Sequence, residues 1–180
     1  MSRNRNIPFK RKRQGKTNYR SRLELLKSRK TRLVIRFSLK YIYGQIVEYK
    51  PEGDRVVVSA SSKELKNFGW NFEAKNMPSS YLLGYLLGVK AKKEKIGEVI
   101  LDIKRAIPKS RVYSAVKGVI DSGVKIPCSD EVLPDDSRIK GNHIAEFSQK
   151  ATENQFSKHD KDKLKNINKM FDDTRNKIKG

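Results

Sequence analysis

The fold is determined by the stretch from Arg32 to Ala60, RLVIRFSLKYIYGQIVEYKPEGDRVVVSA. Only Leu39 and Lys40 separate its first two β-like segments, and the turn-forming stretch 51–54 separates the second from the third. Segments rich in β-branched and aromatic residues favour strands, and such short connections favour antiparallel neighbours. We therefore predict an antiparallel meander of three strands, at residues 32–38, 41–49 and 55–60.

Further helices and one more strand follow the meander. The hydrophobic spacing predicts, in chain order, a short helix at 63–69, a helix from 76–80 to about Lys95, a strand at 97–103 and an amphipathic helix at 110–122 that Gly123 ends. The order of strands and helices predicts an α/β fold with a mixed sheet. In the long helix we expect Ser79 or Ser80 to be the N-cap. Gly84 and Gly88, four residues apart, would suggest dimerisation in a membrane, but in a soluble helix they favour close approach to a sheet, which we prefer.

The two ends of the chain differ from its centre. Residues 1–14 are basic, and we expect them to be extended and to become ordered only on binding. A helix is predicted at 17–30, with Thr17 or Asn18 as its cap. Beyond Phe147 the sequence is polar, with one amphipathic helix near 161–177 whose partner the sequence leaves open. We therefore divide the chain into a basic arm at 1–16, an α/β domain at 17–147 and a polar, helical C-terminal extension at 148–180.

The charge of the chain points to a polyanionic partner. The formal net charge is +21, and residues 1–36 hold 14 Lys and Arg against the single acid Glu24. Each neutralised phosphate releases counterions, so a nucleic acid is the partner that best fits such an excess. The alternatives are an anionic membrane surface and an acidic protein. The membrane alternative is weak, because Tyr19, Leu23 and Leu26 form only a modest apolar stripe.

The sequence argues against catalysis, a bound metal and secretion. Gly15-Lys16-Thr17 resembles the end of a phosphate-binding loop, but Lys10 stands where that loop needs a glycine. Three residues that could bind a metal have no ligand spacing: Cys128, His143 and His159. One cysteine excludes an intrachain disulfide, and we see neither a signal peptide nor an apolar run that spans a bilayer. We expect a soluble, cytoplasmic protein without a cofactor that is not an enzyme, and we expect Asp102 to pair with backbone or an arginine.

Aromatic residues interleave with the basic ones in the N-terminal part. These aromatic residues are Phe9, Tyr19, Phe37, Tyr41 and Tyr43. Such rings can stack on unpaired bases, with about 1–3 kcal/mol for each base. We interpret half of them as core residues instead, Phe37 especially, because it shares the apolar face of the first strand with Leu33 and Ile35.

Motifs in order along the chain resemble one protein family. The matching segments are FKRKR at 9–13, GKTNYRSR at 15–22, RLVIR at 32–36, GD at 53–54, Ala60 and Ser62, GW at 69–70, NMP at 76–78, YLLG at 81–84, LD at 101–102, KG at 117–118 with Asp121, IP at 126–127 and RIKG at 138–141. Over residues 3–147 the chain resembles the large-subunit ribosomal protein family eighteen, the universal 5S-ribosomal-RNA-binding family, in its archaeal and eukaryotic form. Its length is similar to that of archaeal members. The chain departs from the family at 103–109, IKRAIPK, where the family has a glycine-bearing loop.

The resemblance implies a single three-layer domain with a mixed, largely antiparallel sheet, and a structural role in the large ribosomal subunit. The implied partners are 5S ribosomal RNA, the large-subunit ribosomal RNA and neighbouring ribosomal proteins, including a second 5S-binding protein, in the central protuberance.

We expect the basic arm to thread between RNA segments and the start of the first helix to bind phosphate. Without a bound anion, Arg20 and Arg22 oppose the helix dipole, so we interpret both as RNA contacts that do not stabilise the fold. The expected RNA-binding residues are Arg3, Arg5, Lys10, Arg11, Lys12, Arg13, Lys16, Thr17, Tyr19, Arg20 and Arg22, with secondary contacts from Arg36, Lys104, Arg105, Lys109, Arg111, Arg138 and Lys140.

Overall fold

The structure, a computed structural model, describes residues 6–103, 107–150 and 164–180. Its four strands in the described ranges are β1 (Arg32–Phe37), β2 (Ile42–Glu48), β3 (Arg55–Ser61) and β4 (Ile100–Asp102). The described helices are α1 (Lys10–Arg13), α2 (Tyr19–Lys27), α3 (Met77–Lys93), α4 (Arg111–Asp121), α5 (Asp136–Lys140), α6 (Asn142–Lys150) and α7 (Ile167–Lys179), with 3-10 turns at Glu64–Phe68 and Asp130–Val132.

The strands form one mixed sheet in the order β3-β2-β1-β4. The pairs β1–β2 and β2–β3 are antiparallel, with a register shift between Ile46 and Val47, and β4 pairs with β1 in parallel. This arrangement confirms the predicted α/β class and the mixed, largely antiparallel sheet. The parallel strand is shorter than predicted, three residues in place of seven, and lies at the edge beside the central β1.

One face of the sheet is buried against α3. Leu33, Ile42 and Ile46 point to this inner face and are fully buried. Gly44 lies so close to Leu87 of α3 that a methyl group there would crowd the leucine. α3 also packs against α4 and α7, so it connects the sheet with these two helices.

The two glycines of α3 allow a close contact with α4, and the expectation that they face the sheet is wrong. A Cβ added at Gly84 would collide with the backbone of Ala115, and one added at Gly88 would collide with Ser122. Gly118 of α4 approaches the backbone of Tyr81 in return. Small residues therefore serve an intrachain helix pair, which the sequence pattern does not distinguish from a helix-on-sheet contact.

The N-cap of α3 is Asn76, which corrects the assignment to Ser79 or Ser80. Its side-chain oxygen accepts a hydrogen bond from the Ser79 backbone N–H at 2.8 Å. Both serine hydroxyls donate to the carbonyl oxygen of Asn76, at 3.0 Å and 2.7 Å. Asparagine is as good a cap as serine, so the shift by three residues needs no further cause.

The N-terminal arm is not extended throughout, which corrects the expectation for residues 10–13. Lys10–Arg13 form one helical turn, α1, that ends at Gly15 with a φ of +63°. The backbone N–H of Lys16 donates to the carbonyl of Arg11 at 3.0 Å, and none of the α1 residues is buried. No buried side chain therefore anchors this turn to the core.

The C-terminal segment 164–180 contributes to the same hydrophobic core. Its helix α7 carries three apolar residues of the predicted stripe, Ile167, Phe171 and Ile178, and all three are buried with Leu164 just ahead of them. The sequence left open whether this helix docks on a neighbour or stays loose. In the structure it packs on α3 of its own chain.

Candidate nucleic-acid interface

A basic cleft lies where the arm, the start of α2 and the outer face of the sheet meet. We call it the arm cleft, and its volume is about 280 Å³. It is lined by Arg11, Gly15, Lys16, Thr17, Asn18, Ser21, Arg22, Arg36, Asp102 and Ile103. Four of these residues are cations and one is an acid, so the cleft favours an anion.

The loop between α1 and α2 folds back on α1 and shapes one wall of the arm cleft. Arg11 Nε donates to the Thr17 hydroxyl at 2.8 Å, which links the first helical turn to the residue before the cap. Asn18 caps α2, since its side-chain oxygen accepts from the backbone N–H groups of Arg20 and Ser21 at 3.1 Å and 3.2 Å. No acid occupies the first turn of α2, so the positive end of the helix dipole is left without an acidic partner there.

A partly buried network of ion pairs adjoins the arm cleft. Arg32, only 2% exposed, contacts Asp102 at 2.6 Å and Asp54 at 2.8 Å, and Arg22 contacts the second oxygen of Asp54 at 2.8 Å. The expectation that Asp102 pairs with an arginine is confirmed. Burial alone would raise the pKa of Asp54, but the hydrogen bonds from Arg22 and Arg32 outweigh it and hold this pKa below its usual range.

Arg22 therefore has a partner within the fold, and its role as an RNA contact stays a prediction. Its hydrogen bond to Asp54 raises the pKa of the Arg22 guanidinium and fixes its position at the edge of the arm cleft. Arg20, in contrast, is exposed and forms no ion pair within the described ranges. The sequence gives Arg20 and Arg22 the same role, but in the structure Arg22 is paired with Asp54 and Arg20 is exposed.

The structure brings together some of the expected RNA-binding residues and separates others. Arg11, Lys16, Thr17, Arg22 and Arg36 line the arm cleft. Lys10, Lys12, Arg13, Tyr19 and Arg20 are exposed on α1 and α2 beside it. The secondary contacts are spread over other elements: Lys109 lies 3.9 Å from Asp135, Arg111 donates to the Lys75 carbonyl, Arg138 lies on α5, and Lys140 lines a different cavity. Arg3, Arg5, Lys104 and Arg105 lie outside the described residues.

The aromatic residues of the N-terminal part are more exposed than expected. Phe37 is 36% exposed and lies under the Arg111 guanidinium at 5.3 Å, so its interpretation as a core residue is wrong. It is the last residue of β1. Tyr43, 42% exposed, is directly opposite Arg36 in the β1–β2 register. Phe9 and Tyr19 contact each other with ring centroids 5.3 Å apart.

Sequence reasoning missed Ser21 and the partners Asp54 and Arg32. All three lie in segments that resemble the family, but the resemblance gave them no role at the site. That Arg32 and Asp54 meet each other becomes evident only when the strand register is known.

The fold and the arm cleft together define a basic α/β protein with a cleft suited to a polyanion. Known proteins with a similar sequence identify its family. A family model described as ribosomal large subunit proteins 60S L5 and 50S L18 matches residues 3–99. The large ribosomal subunit protein uL18 of Korarchaeum cryptofilum (strain OPF8) is 50% identical over 149 residues, which cover 82% of this chain and 76% of that relative. The chain belongs to this family of large-subunit ribosomal proteins, in its archaeal form.

Membership in the family makes the protein a structural constituent of the large ribosomal subunit rather than an enzyme, with ribosomal RNA and ribosomal proteins as partners. In the described residues no helix is long and apolar enough to cross a bilayer. No group of three or more potential metal ligands occurs in the same ranges.

Proposed function

We propose that the protein binds 5S ribosomal RNA through the arm cleft and helps attach it to the large-subunit RNA in the central protuberance, beside a second 5S-binding protein. The observation that carries this proposal is the convergence of four cations on one cleft whose single acid, Asp102, is already paired with Arg32. Phosphate oxygens satisfy these cations, and backbone contacts of this kind position a protein on RNA.

In this proposal the cations and the aromatic rings of the site have different roles. Lys16 and Arg36 supply charge from two walls of the arm cleft, and Arg22 is held in place by Asp54. The rings of Tyr43 and Phe9 are exposed, and in this proposal they stack on unpaired bases next to a bound backbone. Arg3, Arg5, Lys104 and Arg105 add to the same interface in this proposal. We further propose that 1–16 is an RNA-binding arm on the domain 17–147.

Filter binding with labelled 5S RNA over a series of salt concentrations tests the proposal. We expect the logarithm of the association constant to fall by about 0.7–0.9 per logarithmic unit of salt for each phosphate contact. The double variant Lys16→Glu/Arg36→Glu should bind at least about tenfold more weakly and reduce that slope by about 1.5.

A matched double variant controls for net charge. Lys66→Glu/Lys125→Glu makes the same charge change at exposed positions outside the arm cleft and should lose far less affinity. Equal losses in the two variants would mean that only overall charge matters. Intact binding in the Lys16/Arg36 variant would leave an acidic protein as the occupant of the arm cleft.

A further inference from the structure

A second basic surface lies on the helical side of the domain. Two adjoining cavities of about 430 Å³ and 560 Å³ share Asp121 and Arg175, and we call them together the helical-side groove. It is formed by helices and the arm cleft by the arm, α2 and the outer face of the sheet, and the two sites have no lining residue in common. Its cationic lining residues are Lys92, Lys93, Lys117, Lys140, Arg175 and Lys179, against two acids.

Both acids of the helical-side groove already have partners. Asp121 accepts a hydrogen bond from the Tyr81 hydroxyl at 2.7 Å. Asp136 pairs with Lys117 at 2.5 Å, and this hydrogen bond holds the pKa of Asp136 below its usual range. Within the described part of the chain, the four other lysines form no ion pair. Six cations against two acids at one place form a site that a polyanion stabilises.

Arg175 occupies the junction of the two cavities in a fixed orientation. Its guanidinium lies 5.6 Å from the ring centroid of Tyr81 and 5.3 Å from that of Tyr85. The two rings are nearly parallel, with a 13° interplanar angle, and form a platform for the planar cation. No carboxylate pairs with Arg175 in the described ranges. A guanidinium held beside two rings in this way loses less freedom when it binds phosphate oxygens, and its fork of N–H donors suits bidentate contacts.

The C-terminal ends of α3 and α7 converge on the helical-side groove. Lys92 and Lys93 lie in the last turn of α3, and Lys179 lies in the last turn of α7. The partial negative charge of a helix C-terminus favours such cations, which explains why the free protein tolerates them. Lys140 lies in the last turn of α5 and is favoured in the same way, but Arg175 lies before the last turn of α7 and is not explained by a helix end. Two adjoining cavities with a shared arginine suit consecutive phosphates of one strand better than a single carboxylate.

We propose that the helical-side groove binds the phosphate backbone of a second RNA segment, and that the C-terminal helix α7 completes this site with Arg175 and Lys179. This site goes beyond the arm cleft, because it uses different residues on another side of the domain and holds a different stretch of RNA. The two sites together would let one folded domain connect two RNA segments at the same time.

Capture of RNA by a preformed complex tests this proposal. 5S RNA is immobilised and saturated with protein, and labelled large-subunit ribosomal RNA is then added. The variant Lys93→Glu/Lys179→Glu should stay on 5S RNA like the unsubstituted protein but capture the second RNA at least about tenfold more weakly, since two phosphate contacts are lost. The control Lys169→Glu/Lys177→Glu changes charge equally on α7 outside the helical-side groove and should capture normally.

The outcomes separate this proposal from the one for the arm cleft. Equal capture by the groove variant and the control would overturn the helical-side groove as an RNA site, and would leave an acidic protein as its occupant. If none of the proteins stays on 5S RNA, the proposal for the arm cleft fails by itself. The groove variant is then compared with the control in a Lys16→Glu/Arg36→Glu background, attached through an N-terminal tag, with the same expected and contrary results for large-subunit RNA.

Discussion

Asp54 is held by two arginines from different elements, one in α2 and one in β1. Its oxygens lie 2.8 Å from Arg22 and 2.8 Å from Arg32, so a carboxylate just before β3 joins the helix to the sheet. Arg32 is buried, and a buried cation that loses a partner pays the cost of desolvation without the compensating attraction. At the scale of the residue, Asp54 therefore connects the arm cleft to the sheet: it holds Arg22, which lines the cleft, and Arg32, which is buried in β1.

Replacement of Asp54 by asparagine should lower the free energy of unfolding by about 1–3 kcal/mol at pH 7. Folding lowers the pKa of Asp54, so its stabilising contribution is present above the carboxyl's ordinary pKa of about 4 and is lost as the pH falls below that value. The difference between the two proteins should thus shrink as the pH is lowered below about 4 in a series of denaturant titrations. The control Asp173→Asn, at an exposed position of α7, should change little at any pH. A difference that does not vary with pH would contradict the ion pair as its cause.

The sequence predicts residues on the inner face of the sheet well and those at its margins poorly. Alternation places Leu33 and Ile35 correctly, because both are buried in the hydrophobic core. The same alternation places Phe37 in the core, although this residue ends the strand and its ring is exposed. Arg32 is buried although its type predicts exposure, since two carboxylates distant in sequence meet it. Such cases depend on tertiary partners that no local pattern encodes.

At the scale of the element, α3 and α4 are the most closely packed pair of helices. Gly84→Ala should lower the free energy of unfolding by about 1–3 kcal/mol, because the added methyl group meets the Ala115 backbone and the helices must separate. This cost outweighs the gain in helix propensity, about 0.5–1 kcal/mol. Gly97→Ala is the matched control, since a Cβ there meets no atom within 4 Å. Thermal or denaturant unfolding of the two variants measures the contrast, and equal stability would mean that the close contact does not constrain the pair.

Elements were predictable to within a few residues, but their partners were not. The meander, the long helix and the amphipathic helix at 110–122 all occur close to their expected places. The glycines of α3 show that a small-residue pair reports close approach without saying to what. In the same way, the stripe of α7 predicts a buried face, and only the structure identifies α3 as the surface that covers it.

At the scale of the whole molecule, the two ends of the chain are expected to differ in what they contribute. The described arm residues 6–13 are exposed, and α1 buries none of its residues. Segment 164–180 buries Leu164, Ile167, Phe171 and Ile178 in the core, each worth about 1.5–3 kcal/mol when fully removed from water. The arm cleft could be anticipated from charge along the sequence, whereas the helical-side groove could not, since its cations come from four helices and gather only on folding.

Deletion of residues 1–13 should therefore leave the melting temperature nearly unchanged while it weakens 5S RNA binding by orders of magnitude. The contacts of α1 with the rest of the chain are modest: the Phe9 ring meets an exposed Tyr19, and Arg11 donates to Thr17. Neither contact covers apolar core surface, so little stability depends on them.

Deletion of residues 164–180 is the contrasting case, because it uncovers the side of α3 that α7 occupies, and it should lower the melting temperature steeply or prevent folding. Calorimetry of both truncated proteins, with filter binding of the first, distinguishes the two roles. If the protein without residues 1–13 fails to fold, the arm belongs to the core and the separation of binding from stability is wrong.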